Sequence, residues 1–206
     1  MPYFKNKEAS VLFIHIPKTG GTSLEAYFST VLNIPLNNKS LYLFNTEFNI
    51  DFNTSLQHLT YQFISNHKNQ LNIDDGYKLI TIVRNPYERI ISDLFNHNFI
   101  TINNSKEEVF NIIQTYLMAI DLDNHNIPQY MFVTDINKKL IPDVHILHTE
   151  TLTMDMHHLG YHDFNVNANV NKNKVDYYHY LNKESIQLIN DFYDDDFKIF
   201  NYSKII

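Results

Sequence analysis

The chain reads as an α/β protein built on a mainly parallel central sheet with helices on its faces. Three observations carry this. Two short apolar runs, at 11–16 and 79–83, show little polar–apolar alternation, which suits strands buried on both faces. Each run is followed by a loop signal and then by apolar residues at helical spacing,. The repeated strand–loop–helix order is what a parallel α/β sheet requires.

The elements follow in chain order. Residues 1–8 carry no apolar run behind a basic start, so no signal peptide is expected,. The run from Val11 to Ile16 predicts the first strand, stopped by Pro17. Leu24, Tyr27, Phe28, Val31 and Leu32 then share one helical face,. Residues 33–78 carry no clear period and read as loop-rich. Leu79 to Val83 predicts the second strand, and Pro86 suits the first turn of the next helix,. Ile90, Ile91, Leu94 and Phe95 form the inward face of that helix. Ser105 with Glu108 is a capping-box pattern,. It opens a helix with Val109, Ile112, Ile113, Tyr116, Leu117 and Ile120 on one face. Val144 to Leu147 predicts a third strand, 161–181 a loop, and Lys183 to Tyr193 a last helix. Ile186, Ile189, Phe192 and Tyr193 are its expected inward residues. No repeat or low-complexity linker divides the 206 residues, so a single domain over 1–206 is expected,.

Composition excludes several classes. The net charge is −7 and no basic run stands out, so nucleic-acid binding is not expected,. The absence of Cys excludes disulfides, thiolate chemistry and any zinc site that needs sulfur,. No stretch reaches the ~20 apolar residues of a membrane span, and the expected location is the cytoplasm. With 27 Asn, a single Asn carries little information. Scarce residues carry more. Both arginines, Arg84 and Arg89, fall within six positions, and two of the four glycines, Gly20 and Gly21, are adjacent.

The glycines lie in His15-Ile-Pro-Lys-Thr-Gly-Gly-Thr-Ser23, between a predicted strand and a predicted helix. That junction aims unpaired backbone N–H groups and the positive end of a helix dipole at one point, which suits an anion, most often phosphate. Gly20 and Gly21 let the backbone approach the anion, and Lys18 adds a mobile positive charge. Thr19, Thr22 and Ser23 add hydroxyl donors, and Thr22 or Ser23 can cap the helix. The pattern is not the NTPase loop, in which the Lys follows the glycines.

Arg84 stands at the carboxyl end of the second strand, the edge where open α/β sheets bind ligands. Its planar fork can grip a phosphate through two bonds. Ser92 lies about two helical turns further on and can face the same anion. The alternative is that Arg84 pairs with an acid and Ser92 is surface. Arg89 reads as a structural ion pair with Glu88 or Asp93.

Together, the 17–23 loop and the Arg84–Ser92 pair resemble the 5′-phosphosulfate loop and the 3′-phosphate motif of sulfotransferases that use 3′-phosphoadenosine 5′-phosphosulfate. The variant is similar to the carbohydrate branch that includes heparan sulfate 2-O-sulfotransferases. Weaker likeness continues through Gln57-His-Leu-Thr60, Pro128-Gln129, Glu150-Thr-Leu152, Asn171-Lys-Asn173 and the 196–202 ending. The resemblance implies the sulfotransferase fold, that donor, and a carbohydrate or similar hydroxyl acceptor. It places the catalytic His at His58 and lets Asn171 and Lys172 close over the nucleotide. It puts Gln129 at the acceptor or beside the base.

Sulfuryl transfer to a hydroxyl needs a base, and a His suits that role. Lys18 and the loop N–H groups can stabilise the leaving phosphate. His97 is the second candidate base, and His15 reads as a packed strand-end residue. No metal is required: His145, His148, His157, His158 and His162 mimic ligand spacing without the acidic partners of a metal site. Two other classes compete with a sulfotransferase, namely a nucleotide kinase and an inactive nucleotide- or glycan-binding module.

Overall fold

The computed structural model describes residues 2–42, 48, 50, 54–120, 122–165 and 176–206. Its sheet has four strands in the order β1 (Tyr3–Lys5), β2 (Ser10–Ile14), β3 (Lys78–Val83) and β4 (Val144–His148). β1 runs antiparallel to β2, and β2, β3 and β4 run parallel. Leu12 faces Leu79 across the first parallel pair, and Leu79 faces Val144 across the second. The mainly parallel α/β class predicted above is the one observed. β1, which the sequence did not signal, is an edge strand of three residues, too short to show a period.

Successive strand residues face opposite sides of a sheet. Leu12, Ile14, Leu79 and Val83 enter one core, whereas Val11, Phe13, Ile80 and Ile82 enter another. Both faces are covered, which explains the unbroken apolar runs. The one polar residue inside β3, Thr81, is satisfied by donating to the Ile14 carbonyl at 2.9 Å.

Helix α1 (Gly21–Val31) follows β2, and α2 (Tyr61–Asn66) lies before β3. Helix α3 (Pro86–Asn96) starts where expected, with Asn85 accepting from the Tyr87 N–H at 3.0 Å. Helix α4 (Lys106–Met118) opens on the predicted Ser105–Glu108 capping box. Then come α5 (Tyr130–Val133), α6 (Leu152–His158), α7 (Lys183–Phe192) and α8 (Asp194–Ile199). A third core joins α3, α4, α7 and α8 through Ile91, Leu94, Ile113, Ile189 and Phe197.

Three residues expected on inward faces point outward. Val31 is exposed in the last turn of α1. Ile120 is exposed because α4 has already ended: the Asn126 amide draws in the carbonyls of Tyr116 and Ala119, at 3.0 and 2.7 Å. Phe192 is exposed because Tyr193 takes the buried position before α8 begins. No described helix is long and apolar enough to cross a membrane.

Candidate functional site

β2 runs into the 15–20 loop, and α1 begins on Gly21. Gly20 has a φ of 89°, a left-handed conformation that glycine adopts without strain,. Gly21 is required for another reason: a Cβ there would stand 2.5 Å from the His15 ring. Because Gly20 is the cap, Thr22 and Ser23 already lie in the first turn and neither caps the helix as expected. Thr22 is exposed and Ser23 half-buried. Thr19 is fully buried, and its hydroxyl donates to the Ile16 carbonyl at 2.8 Å, so it closes the loop from within. The Thr149 hydroxyl, just past β4, lies 2.6 Å from the Thr19 carbonyl and 3.0 Å from that of Val83. It ties the loop to the end of β3. The first N–H groups of α1 have no acceptor within the helix and carry the positive end of its dipole.

Arg84 leaves β3 beside this loop. Its guanidinium donates to Glu88 at 3.0 Å and to the Lys18 carbonyl at 3.3 Å, and it lies 5.2 Å from the Tyr177 ring centre. Its Nε is buried without a partner among the described residues. Glu88, Ser92 and Asn96 are spaced four apart on α3 and share a face,. Glu88 holds Arg84, and Asn96 accepts from the Lys18 ammonium at 2.9 Å. Ser92 lies between them, so the two sequence motifs meet along one stripe of α3. Burial pushes the Lys18 ammonium below its ordinary value; Asp93 opposes this and Arg84 adds to it. Two adjacent cations with a lowered lysine suit a site that receives an anion.

Two residues brace this site from behind. Arg89 pairs with neither Glu88 nor Asp93. It is buried and donates to three carbonyls, those of Pro17, Ile127 and His125, at 3.0, 3.0 and 2.7 Å. Gln129, expected at the acceptor or beside the base, is fully buried. Its Oε1 accepts from the Arg84 N–H and its Nε2 donates to the Arg84 carbonyl, both at 2.9 Å. Its own N–H and that of Tyr130 donate to Asp196 at 2.8 Å. Burial pushes the Asp196 carboxyl up to about 6, against the pull of those N–H groups.

His58 ends a short helical turn, Leu56–His58, and is 8% exposed. Its Nδ1 lies 2.7 Å from Oδ2 of Asp123. An ionised carboxylate only accepts, so the proton sits on Nδ1 and the lone pair on Nε2. Nε2 has no hydrogen-bond partner among the described residues. Burial pushes the His58 imidazolium down to about 4, against the pull of Asp123, so the ring is neutral at pH 7. Burial also works against the Asp123 carboxylate, but His58, the Thr54 hydroxyl and the Ser55 N–H hold it well below the usual range.

His58 is the middle of a row. The His15 ring meets it edge-on at 5.2 Å and the His125 ring at 4.9 Å. Each of these neighbours also carries an acid: His15 Nδ1 is 2.5 Å from Glu25, and His125 Nδ1 is 2.8 Å from Asp93. Gln57 donates to both oxygens of Glu25, at 2.9 and 3.0 Å. Since the His15 ring abuts Gly21, the row starts at the anion loop. His97, the second candidate base, stands beyond His125. Asn171 and Lys172 lie outside the described residues.

Sequence reasoning missed Glu25, Asp93, Asp123 and His125. Glu25 and Asp93 did carry a signal. Each is an acid inside an apolar stripe, with Leu24 and Phe28 on α1 and with Ile90 and Leu94 on α3. Asp123 and His125 sit in a loop with no local signature.

No curated protein and no solved structure matches the chain. A family model described as Sulfotransferase family matches residues 1–131, more than half of it. That span covers the loop, Lys18, Arg84, Ser92, His58 and all three acids of the histidine row, and the chain belongs to the sulfotransferase family.

Proposed function

We propose that the protein moves a sulfuryl group from 3′-phosphoadenosine 5′-phosphosulfate to a hydroxyl of a carbohydrate or similar acceptor, with His58 as general base. The observation that carries this reading is the side-by-side arrangement of a cationic anion site and a neutral, carboxylate-held imidazole. Lys18, Arg84 and the N-terminus of α1 make the first. His58 on Asp123 makes the second, one ring away from Gly21.

The residues fit such a donor. The buried Arg84 Nε has no partner among the described residues, and the rest of its fork rests on Glu88 and a carbonyl that a phosphate can replace. The N-terminus of α1, which starts at Gly21, can take a second anionic group,. In this reading Arg84 and Ser92 hold the 3′-phosphate. The loop N–H groups, Thr22 and Ser23 hold the 5′-phosphosulfate. Asn171 and Lys172 close over the nucleotide, as the motif resemblance implies. The donor supplies an activated sulfuryl group, and transfer breaks its S–O bond to phosphate as a new S–O bond forms to the acceptor. His58 Nε2 takes the acceptor proton, and Asp123 stabilises the imidazolium. Lys18 and the loop N–H groups take up the charge that grows on the leaving phosphate.

The sugar acceptor rests on the likeness of the loop to the carbohydrate branch. The test is transfer of labelled sulfate from this donor to a panel of oligosaccharides and small alcohols. Labelled product on a sugar hydroxyl is the expected result. Stabilisation by ATP with magnesium exceeding that by adenosine 3′,5′-bisphosphate, with no transfer to any acceptor, would return the chain to the kinase reading.

A further inference from the structure

Asp93, in the last turn of α3, and His97, which caps its C-terminus, are four residues apart and so leave one face of the helix,. His125 reaches them from the loop before α5, a loop that Arg89 fixes by donating to the carbonyls of His125 and Ile127. Three ligand-type atoms converge there. Nδ1 of His125 is 2.8 Å from Oδ1 of Asp93. Nε2 of His97 is 3.3 Å from that nitrogen and 3.6 Å from that oxygen.

Hydrogen bonding cannot serve all three edges at once. The His125–Asp93 edge has the length of an ordinary N–H donor bond, the 3.3 Å edge from His97 to His125 is a long one, and 3.6 Å from His97 to Asp93 is beyond one,. Nδ1 of His125 holds at most one proton for two neighbours, so it bonds Asp93 or His97 but not both. A cation satisfies all three atoms at once. A point equidistant from them lies about 1.9 Å from each, and a small step out of their plane reaches the about 2.0–2.2 Å of zinc bonds to nitrogen and oxygen,.

The geometry points to a divalent metal site formed by Asp93, His97 and His125. The surroundings suit one. The second oxygen of Asp93 accepts from the Tyr116 hydroxyl at 2.5 Å, the kind of outer bond that orients a ligating carboxylate,. The Asp93 side chain is 1% exposed and that of His97 32%, so the site is closed at its base and open to solvent through His97. His97 is steadied by stacking on Phe99 at 5.4 Å. Two imidazoles and one carboxylate select zinc and similar transition ions over magnesium or calcium, which take oxygen ligands. Three protein ligands leave coordination positions free, unlike a closed four-ligand structural site. No sequence spacing marks this site, because His125 lies 28 residues beyond His97.

The test uses the full chain with Co²⁺ as the probe. One Co²⁺ per chain should bind, develop visible ligand-field absorption and be displaced by Zn²⁺. His97→Ala changes a partly exposed side chain, so the fold is retained. It should weaken Co²⁺ binding by more than the roughly 10–100-fold that loss of an outer-shell partner costs. His157→Ala, on α6, should leave binding unchanged. Failure to bind one Co²⁺ per chain, or binding that His97→Ala leaves intact, overturns the proposal.

Discussion

The anion loop and the histidine row lie against each other but are encoded differently. The loop is one contiguous stretch, and local rules shape it: a strand end, a left-handed Gly20 and a helix start at Gly21. The row takes His15, His58, His125 and His97 from separate segments, and its acids come from α1, α3 and the 122–129 loop. An anion site can thus be written in a few neighbouring residues. The placement of a base requires tertiary packing to bring each imidazole to its carboxylate. The two regions touch at one place, where the His15 ring fills the space a Gly21 Cβ would need.

That contact gives the broadest expected effect. Gly21→Ala drives a methyl into the His15 ring and disturbs loop and row together. Overpacking of this kind costs about 1–3 kcal/mol. Melting temperature, donor affinity and turnover should fall in one variant, and a change in only one of them would show the two regions to be independent.

Arg84→Lys separates the regions. It keeps the charge and removes the planar fork. Loss of a charge-assisted contact should weaken adenosine 3′,5′-bisphosphate binding by about 1.5–3 kcal/mol, seen by calorimetry. Unchanged affinity would make Arg84 a structural partner of Glu88 only.

Glu25→Gln acts on the row alone. Glu25 is fully buried against His15 and Gln57, and an amide in its place leaves a donor facing the Gln57 amide. Stability should drop by about 1–3 kcal/mol in urea unfolding, with nucleotide affinity held. A lost affinity would place Glu25 in the anion site.

The smallest effect is the pH response of the brace behind Arg84. Asp196 has a folded pKa raised to about 6 from an ordinary 3.8. The folded state therefore holds the proton more tightly. This contribution to stability is complete below about pH 4 and is lost as pH rises through about 6,. His58, held down at about 4, contributes with the opposite sign in parent and variant alike, so the parent's unfolding free energy relative to that of Asp196→Asn should decline across that window. A difference that climbs through the window would contradict the assignment.

What could be read in the sequence follows the same division. The two central strands, the helix starts after the 17–20 turn and at Pro86, and the Ser105 cap all depend on neighbours within a few residues, and they appear where expected. The expectation of Gln129 at the acceptor or beside the base misses its contact with the Arg84 backbone, because chain order does not reveal that its amide closes there. Ile120 continued a helical period that Asn126 cuts short. The acids were the largest loss. Glu25 and Asp93 could be found as carboxylates within apolar helix faces, but the approach of Asp123 to His58 depends on a contact 65 residues apart in sequence.

The central claim is that His58, held by Asp123, removes the acceptor proton and does not hold the donor. It is tested most directly by single-turnover sulfuryl transfer in His58→Ala at saturating donor, beside calorimetric binding of adenosine 3′,5′-bisphosphate. A positioned base contributes roughly 10²–10⁴-fold to rate. The variant should lose about that much transfer and bind the nucleotide as the parent does, whereas Lys18→Ala loses both. Transfer within a few-fold of the parent in His58→Ala, together with its loss in His97→Ala, would contradict the account and move the base along the row.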